Sequence, residues 1–207
     1  MPGIASKALI AILAAALTLP LAATRATGQG TVYDQLDAAS IAERLGLGTR
    51  SVATLLLNGG FPGSWVEAAG GIQEPEYLQW PVPGHRLGRG FGSDNGRHLA
   101  VDVTAPAGTP ALAMAPGLVG YAGNEIKGYG NTVLVVHPGG WVTLYAHLDH
   151  FKVVPGQKIE ASEPVGLIGN TGISRGPHLH FSLLVRGLAI DPMKHMRGAP
   201  GSLLDVS

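Results

Sequence analysis

The sequence predicts a mostly β fold, in which short antiparallel strands are preceded by a short helical segment. The composition is the first observation, because 31 glycines and 15 prolines make up about 22% of the 207 residues, against about 12% in average proteins. The second is that, from Trp80 onward, short Val-, Leu- and Ile-rich runs alternate with Gly/Pro turns, which is typical of a β-sandwich or barrel. The third is a predicted hairpin, in which 133–136 and 141–145 flank Pro-Gly-Gly.

The composition excludes several classes of function. Lys+Arg (14) balances Asp+Glu (14), so the chain has no surplus positive charge for binding nucleic acid or an anionic surface. It contains no cysteine, which excludes disulfides, thiolate zinc sites, iron–sulfur clusters and cysteine nucleophiles. Any metal or acid–base chemistry must therefore come from the eight histidines and the carboxylates.

The N-terminus has the layout of a secretory signal peptide, predicted over residues 1–26. Lys7 is followed by an unbroken apolar run over 8–23, and Thr24-Arg25-Ala26 places small residues at the −3 and −1 positions of a cleavage site. A membrane anchor is the alternative, but the run contains Pro20 and is shorter than the roughly 20 residues that a span requires. We expect an exported protein, periplasmic or extracellular at the cell wall, without a membrane span after cleavage.

Residues 27–60 are predicted to be helical, with two short helices separated by a glycine turn at 46–48. Apolar residues recur at helical spacings on both sides of this turn. The stretch SIAERLGLGTRSVATLLLNGG resembles both the helix–turn–helix of DNA-binding proteins and the second half of a LysM carbohydrate-binding module. Export and the charge balance argue against DNA, and the LysM likeness lacks clear opening and closing strands. A prosegment or spacer that packs on the next domain is the remaining interpretation.

The rest of the chain divides into a linker, a main domain and a tail. Residues 61–79 mix Gly, Pro and Glu and are predicted to be a linker. The main domain is predicted over 80–193, and residues 194–207 are predicted to be a loosely held tail. If the helical segment acts as a cover or a separate binding unit, a chain that starts near Trp80 should fold on its own.

Two histidine groups in the main domain indicate a metal site. Side chains two and four residues apart share one face of a strand, so His98 can point the same way as Asp102, and His178 the same way as His180. Two histidines and one carboxylate can supply three zinc ligands and leave a fourth position for water, so one paired histidine is spare for chemistry. A further histidine, His147, ends the apolar run WVTLYAH. The remaining four are expected in solvated loops: His85, His137, His150 and His195.

The region from about Trp80 to Pro192 resembles the LytM/lysostaphin-type zinc metallopeptidases of the M23 peptidase family. The matching landmarks occur in order along the chain: HLAVD, YGNTVLVVHPGG, TLYAHL, VVPGQKIEASEPVGLIGNTG and GPHLHFSLL. One departure is Ala100, because the family commonly has glycine between the histidine and the aspartate. The resemblance implies an antiparallel, partly barrel-like sheet with the metal in an open groove.

The resemblance also implies roles for individual residues. His98, Asp102 and His180 match the ligands of one zinc ion, and His147 and His178 match the two active-site histidines that are not ligands. His178 is the better candidate for the base that activates water, and His147 for the donor to the oxyanion or the leaving nitrogen, although these two roles can be exchanged. In addition, Asn131 matches a position near the groove and is a candidate for substrate binding, but a turn-capping role explains it equally well.

The function that the resemblance implies is that of a secreted zinc endopeptidase acting on the peptides of bacterial peptidoglycan. We expect the protein to be a monomer. The bond cut is left open among a D,D cross-link, an oligoglycine bridge and another amide. The principal alternative is a non-catalytic relative that activates other wall hydrolases. A non-haem iron oxygenase also uses two histidines and a carboxylate, but it usually carries HxD. A biotinyl- or lipoyl-type carrier needs a Met-Lys-Met hairpin that the sequence lacks.

Overall fold

The computed structural model describes residues 35–60, 63–68 and 78–197. The predicted signal peptide and most of the predicted tail lie outside these residues. Within the described ranges, three α-helices precede a series of twelve strands. The helices are α1 (Ala38–Leu45), α2 (Arg50–Leu57) and α3 (Gly63–Ala68). None of the helices in this part of the chain is both long enough and apolar enough to cross a membrane.

The first two helices confirm the predicted pair with its glycine turn. The Ser40 backbone N–H donates to the Asp37 side chain at 2.8 Å and caps the start of α1. Gly46 ends α1 at φ 66°, a left-handed conformation that glycine adopts without strain. The Val52 N–H then donates to the Thr49 hydroxyl at 3.3 Å and caps α2. These local signals fix the start and the end of α1 and the start of α2.

The strands form one large antiparallel sheet and a small parallel pair. In chain order they are β1 (Leu78–Gln79), β2 (Arg86–Arg89), β3 (Val101–Thr104), β4 (Pro110–Leu112), β5 (Gly117–Gly123), β6 (Asn131–His137), β7 (Trp141–Phe151), β8 (Lys158–Ile159), β9 (Pro164–Ile168), β10 (His178–Val185), β11 (Leu188–Ile190) and β12 (Met196–Arg197). The large sheet has the order β2-β3-β10-β7-β6-β5-β8, with β11 paired to β10, and β9 paired to β7 and β4. The main domain is therefore a mostly β, antiparallel fold, as predicted.

The hairpin predicted around Pro-Gly-Gly is confirmed. Strands β6 and β7 pair from Val133–Tyr145 to His137–Trp141, and a short 3-10 helix over Pro138–Gly140 makes the turn. On either side of this hairpin, β10 pairs with β7 and β5 pairs with β6. These four strands form the centre of the sheet, and β3 pairs with the outer side of β10.

Each face of this sheet packs into its own apolar cluster. On β10, the odd-numbered residues Leu179, Phe181 and Leu183 lie in one cluster, together with the inward residues of β3 and parts of β4, β5, β6, β7 and β9. The even-numbered His178 and His180 point to the opposite face, because successive strand residues alternate. That opposite face carries the site at one end.

The helical unit, α1 to α3, packs on the same sheet face that carries the site. His180 is directly opposite Asp102 on β3 and Ala146 on β7, and residues paired in this way share a face. Ala146 belongs to the second apolar cluster, in which seven residues of the helical unit and its turn are packed against eight residues of the sheet. The sheet residues are Leu118, Tyr121, Leu134, Val136, Val142, Leu144, Ala146 and Leu184. The helical unit therefore covers one part of this face and leaves the site end open.

Two elements lie in stretches for which no structure was predicted. The helix α3 and the strand β1 both fall within the predicted linker 61–79. Trp65 and Ala68 of α3 are buried in the second cluster, and Leu78 of β1 is buried where β1 pairs in parallel with β12, inside the predicted tail. Apolar residues in an otherwise Gly- and Pro-rich stretch thus gain their structure from tertiary packing, which local composition does not reveal.

His137 corrects the expectation that it lies in a solvated loop. It ends β6 and is 1% exposed. Its Nδ1–H donates to the Pro116 carbonyl at 2.7 Å, and its Nε2 accepts from the Thr143 hydroxyl at 2.8 Å. Burial lowers the pKa of His137 from 6.5 to about 4. The neutral ring is therefore a hydrogen-bonded part of the sheet.

The burial of His137 predicts a loss of stability on acidification. Between pH 6.5 and about 4 the unfolded chain binds a proton at this ring and the folded chain does not, so the free energy of unfolding falls as the pH drops through this window. The shift corresponds to an upper value of about 3 kcal/mol. Urea titrations at several pH values in this window should show a smaller fall in the free energy of unfolding for His137→Gln than for the natural chain. The same pH dependence of the free energy of unfolding in both chains would contradict this role of His137.

Candidate active site

The residues of the two histidine motifs meet at one end of the sheet. Asp102 on β3 and His180 on β10 are direct cross-strand partners, which places both side chains on the same face. His98 lies three residues before β3 and not within it. The Gly92 N–H donates to the His98 carbonyl at 2.8 Å, and the His98 N–H donates to the Ser93 carbonyl at 3.0 Å. This turn, together with the short connection to β3, brings His98 back to Asp102.

His98, Asp102 and His180 form a compact cluster of donor atoms. Asp102 Oδ1 lies 3.1 Å from His98 Nε2 and 2.9 Å from His180 Nδ1. One donor atom from each of the three residues lies within 4.8 Å of the others. The His98 Nδ1–H donates to the Gly90 carbonyl at 3.1 Å, which orients the ring with its Nε2 toward the cluster. Two imidazoles and one carboxylate are a donor set that fits zinc.

The Asp102 carboxylate is held in its charged form. Burial alone raises its pKa, but the hydrogen bond from His180 and the charges of His180, His98 and His178 act in the opposite direction. Together they bring the pKa of Asp102 below its ordinary value. The second oxygen, Oδ2, lies 4.0 Å from Arg89 Nη1. An ionised carboxylate surrounded by imidazoles is the form that ligates a metal.

His147 and His178 face each other beside this cluster. Their ring centroids are 4.8 Å apart, and the His147 ring is 5.6 Å from that of His180. The His147 Nδ1–H donates to the Thr171 carbonyl at 2.8 Å, and the His178 Nδ1–H donates to the Gly176 carbonyl at 2.8 Å. Both rings therefore keep Nε2 available for proton transfer, and His178 Nε2 lies 3.8 Å from Asp102 Oδ1.

The backbone at His147 takes a conformation that side chains rarely adopt. Its φ is 60°, and its N–H donates to the Tyr129 carbonyl at 2.9 Å. The His147 carbonyl accepts from the Gly169 N–H at 3.1 Å, so both backbone groups are fixed. Such outliers are costly and cluster at functional sites. Burial, as the largest effect, lowers the pKa of His147.

The five predicted site residues line one cleft of about 750 Å³. The structure therefore brings together all the histidines and the aspartate that the sequence selected. Other lining residues were not selected from the sequence: Arg89, Asp94, Lys127, Gly128, Tyr129, Ile173 and Ser174. Tyr129 stacks edge-on against His180 at 5.5 Å, and the Ser174 hydroxyl lies 3.2 Å from His178 Nδ1. Apart from Arg89 at the end of β2, these residues lie in loops, and no local pattern in the sequence marks their place.

Asn131 does not line this cleft. Its side-chain amide donates to the Asp149 carbonyl at 2.9 Å, and its backbone N–H donates to the Thr171 hydroxyl at 2.9 Å. These contacts join the start of β6 to the loops around the site, and they favour the turn-stabilising alternative. The predicted role of Asn131 in substrate binding stays a prediction.

Comparison with known proteins identifies the family of the main domain. A family model described as "Peptidase family M23" matches residues 96–192. The DD-carboxypeptidase/endopeptidase Mpg of Neisseria meningitidis serogroup B is 41% identical over 96 residues, which are 46% of this chain and 22% of Mpg. The murein hydrolase activator NlpD of Salmonella dublin is 31% identical over 118 residues, which are 57% of this chain and 31% of NlpD. The chain thus spans less than a third of the length of these two relatives.

Solved structures agree with this identification. A zinc-containing peptidase from Vibrio cholerae superposes with a TM-score of 0.54 and 31% identity, covering 61% of this chain and 41% of that one. The antimicrobial peptidase lysostaphin from Staphylococcus simulans gives a TM-score of 0.53 and 31% identity, covering 58% of this chain and 52% of that one. Residues 96–192, a little under half of the chain, therefore form a domain of peptidase family M23.

Proposed function

We propose that this chain is an exported zinc metalloendopeptidase that hydrolyses amide bonds in the peptide part of bacterial peptidoglycan. The observation that carries the proposal is the His98, Asp102 and His180 cluster, whose donor atoms lie within 4.8 Å, with His147 and His178 beside it in one cleft. In this proposal the three clustered residues hold one zinc ion per chain. When bound there, zinc would polarise the scissile carbonyl and lower the pKa of a bound water toward about 7.

The two remaining histidines supply the proton transfers in this proposal. His178 takes the proton of the attacking water at Nε2, because its Nδ1–H is engaged with the Gly176 carbonyl and its Nε2 lies 3.8 Å from Asp102 Oδ1. His147, held through Nδ1 by the Thr171 carbonyl, holds or releases a proton at Nε2 toward the oxyanion or the leaving nitrogen. Two carbonyls of the connection between β9 and β10 thus fix the tautomers that acid–base catalysis needs.

The likeness to NlpD supports a second candidate function, a non-catalytic protein that activates wall hydrolases. The filled set of five site residues favours the enzyme, because an activator has no need of a complete ligand set with two oriented histidines. The name of NlpD, a murein hydrolase activator, also supports a location at the cell envelope, as the apolar N-terminus predicts.

Digestion of chemically defined peptidoglycan tests this function. We expect the purified protein to release fragments whose masses correspond to hydrolysis of one type of peptide amide, and we expect a chelator to abolish this release. Mass spectrometry of the soluble fragments is the measurement. Intact peptides after prolonged incubation with zinc-loaded, folded protein would favour the activator, and release that persists in the chelator would contradict the role of zinc.

A further inference from the structure

Two loops that are joined to each other form one rim of the cleft. The first, 124–130, connects β5 to β6, and the second, 169–177, connects β9 to β10. The Ile173 N–H donates to the Gly128 carbonyl at 2.8 Å, and a Cβ on Gly130 would lie 2.4 Å from the Thr171 hydroxyl oxygen. This close approach leaves no room for a side chain at Gly130. The two loops therefore act as one structural element, the loop rim.

The loop rim also orients the two acid–base histidines. Tyr129 and Thr171 provide the carbonyls that accept from the His147 backbone N–H and Nδ1–H. Gly176, in the same rim, provides the carbonyl that accepts from His178 Nδ1–H. Any group that the rim binds will consequently lie next to the atoms that transfer protons.

Two cations of this rim have no partner among the residues that the structure describes, although the cleft's other charges are matched. Arg89 Nη2 lies 2.9 Å from Asp94 Oδ2, and Asp102 is part of the histidine cluster. The remaining charged lining residues are Lys127 and Arg175, both exposed to solvent in the cleft. Within residues 35–60, 63–68 and 78–197, neither of these two side chains makes an ion pair or hydrogen bond. The rim therefore presents uncompensated positive charge beside the reacting centre.

We infer that the cleft selects peptides that carry a free carboxylate next to the scissile amide, and that Lys127 and Arg175 bind this carboxylate. The inference rests on the proposed function and deepens it, because it chooses between the substrates that the sequence leaves open. An oligoglycine bridge is neutral and offers nothing to these cations. A stem peptide, or a cross-link that contains an acidic residue, carries a free carboxylate. This carboxylate can pair with the Lys127 ammonium and the Arg175 guanidinium group.

Two synthetic peptides with the same scissile amide test the inference, one with a free carboxylate on the adjacent residue and one with that group amidated. We expect the natural chain to bind and cleave the free acid about tenfold better, the size that two partly exposed ion pairs produce, with the preference falling as salt is raised. The double variant Lys127→Gln/Arg175→Gln should lose this preference through KM, with kcat and zinc content unchanged. Lys152→Gln/Lys194→Gln removes the same charge outside the cleft and should keep the preference.

The outcomes separate this inference from the proposed function. Equal binding of both peptides by the natural chain, or a preference that survives in Lys127→Gln/Arg175→Gln, would overturn the inference. A calorimetric binding preference that depends on the two cations supports it even if neither peptide is hydrolysed, and in that case the proposed endopeptidase activity fails. Hydrolysis of both peptides at equal rates would support the proposed endopeptidase activity and contradict carboxylate binding by the loop rim.

Discussion

His180→Ala should lose zinc and activity together, whereas His178→Ala should keep its zinc and lose activity alone. His180 Nδ1 lies 2.9 Å from Asp102 Oδ1 and belongs to the donor cluster, so its removal leaves only two of three ligands. His178 is held by the Gly176 carbonyl outside that cluster. Its removal should lower turnover by about 10²–10⁴-fold, the usual contribution of a general acid or base. His147→Ala should behave in the same way as His178→Ala.

Zinc content and hydrolysis rate, measured on the same preparations, check this division of roles. His150→Ala is the matched control, because His150 is exposed and lies outside the cleft, and among the described residues its side chain pairs only with the neighbouring Asp149. It should retain both zinc and activity. If His178→Ala empties the site while His180→Ala retains its zinc, the assignment is reversed, and His180 becomes the base.

Removal of the helical unit should abolish a stable, monomeric fold. If the unit were only a cover or a separate binding unit, a chain starting near Trp80 should instead fold on its own. The helical unit covers eight apolar residues of the sheet, all of them buried. The helical unit and the main domain also touch through their backbones. The Gly48 N–H donates to the Gly120 carbonyl at 2.9 Å, and Gly156 lies so close to the Ala38 carbonyl oxygen that there is no room for a side chain at position 156. Without the unit this apolar face is exposed, and such a face promotes aggregation.

A point substitution tests the same packing without deleting any element. Leu56 is fully buried in the second cluster, and Leu56→Ala should lower the free energy of unfolding by about 2–5 kcal/mol. Its neighbour Leu55 is 41% exposed, so Leu55→Ala should cost clearly less. Chemical denaturation of both variants and size-exclusion chromatography of the shortened chain are the measurements. A shortened chain that stays monomeric with an unchanged melting temperature would show that the helical unit is a spacer.

The site could be predicted from the sequence because its spacings are those of a strand. His178 and His180 lie two residues apart on β10, and Asp102 pairs directly with His180, so the period of two placed these side chains on one face. His98 does lie beside Asp102, as expected, but it reaches that position from a turn before β3 and not from the strand itself. The family landmarks then selected His147, whose position depends on backbone geometry that no spacing predicts.

The features that the sequence did not predict depend on contacts between segments that are distant in the sequence. His137 precedes a proline and a glycine, which indicates a turn, but the neighbouring strand β5 and the hydroxyl of Thr143 bury its ring. The helical unit was predicted as helices, yet the sequence gives no indication that it packs on the site-bearing face. In the same way, the loop rim exists because Ile173 bonds to Gly128 across more than forty residues.

Diffraction at the zinc absorption edge from crystals of the zinc-loaded protein decides whether His98, Asp102 and His180 hold the metal, because it locates the ion without reference to activity. We predict a single anomalous peak per chain in the cleft, within bonding distance of His98 Nε2, an Asp102 carboxylate oxygen and His180 Nδ1, with His147 and His178 outside that distance. A peak bonded to His147 or His178 in place of His180, or the absence of any peak in the cleft of a folded, zinc-saturated chain, would contradict the account.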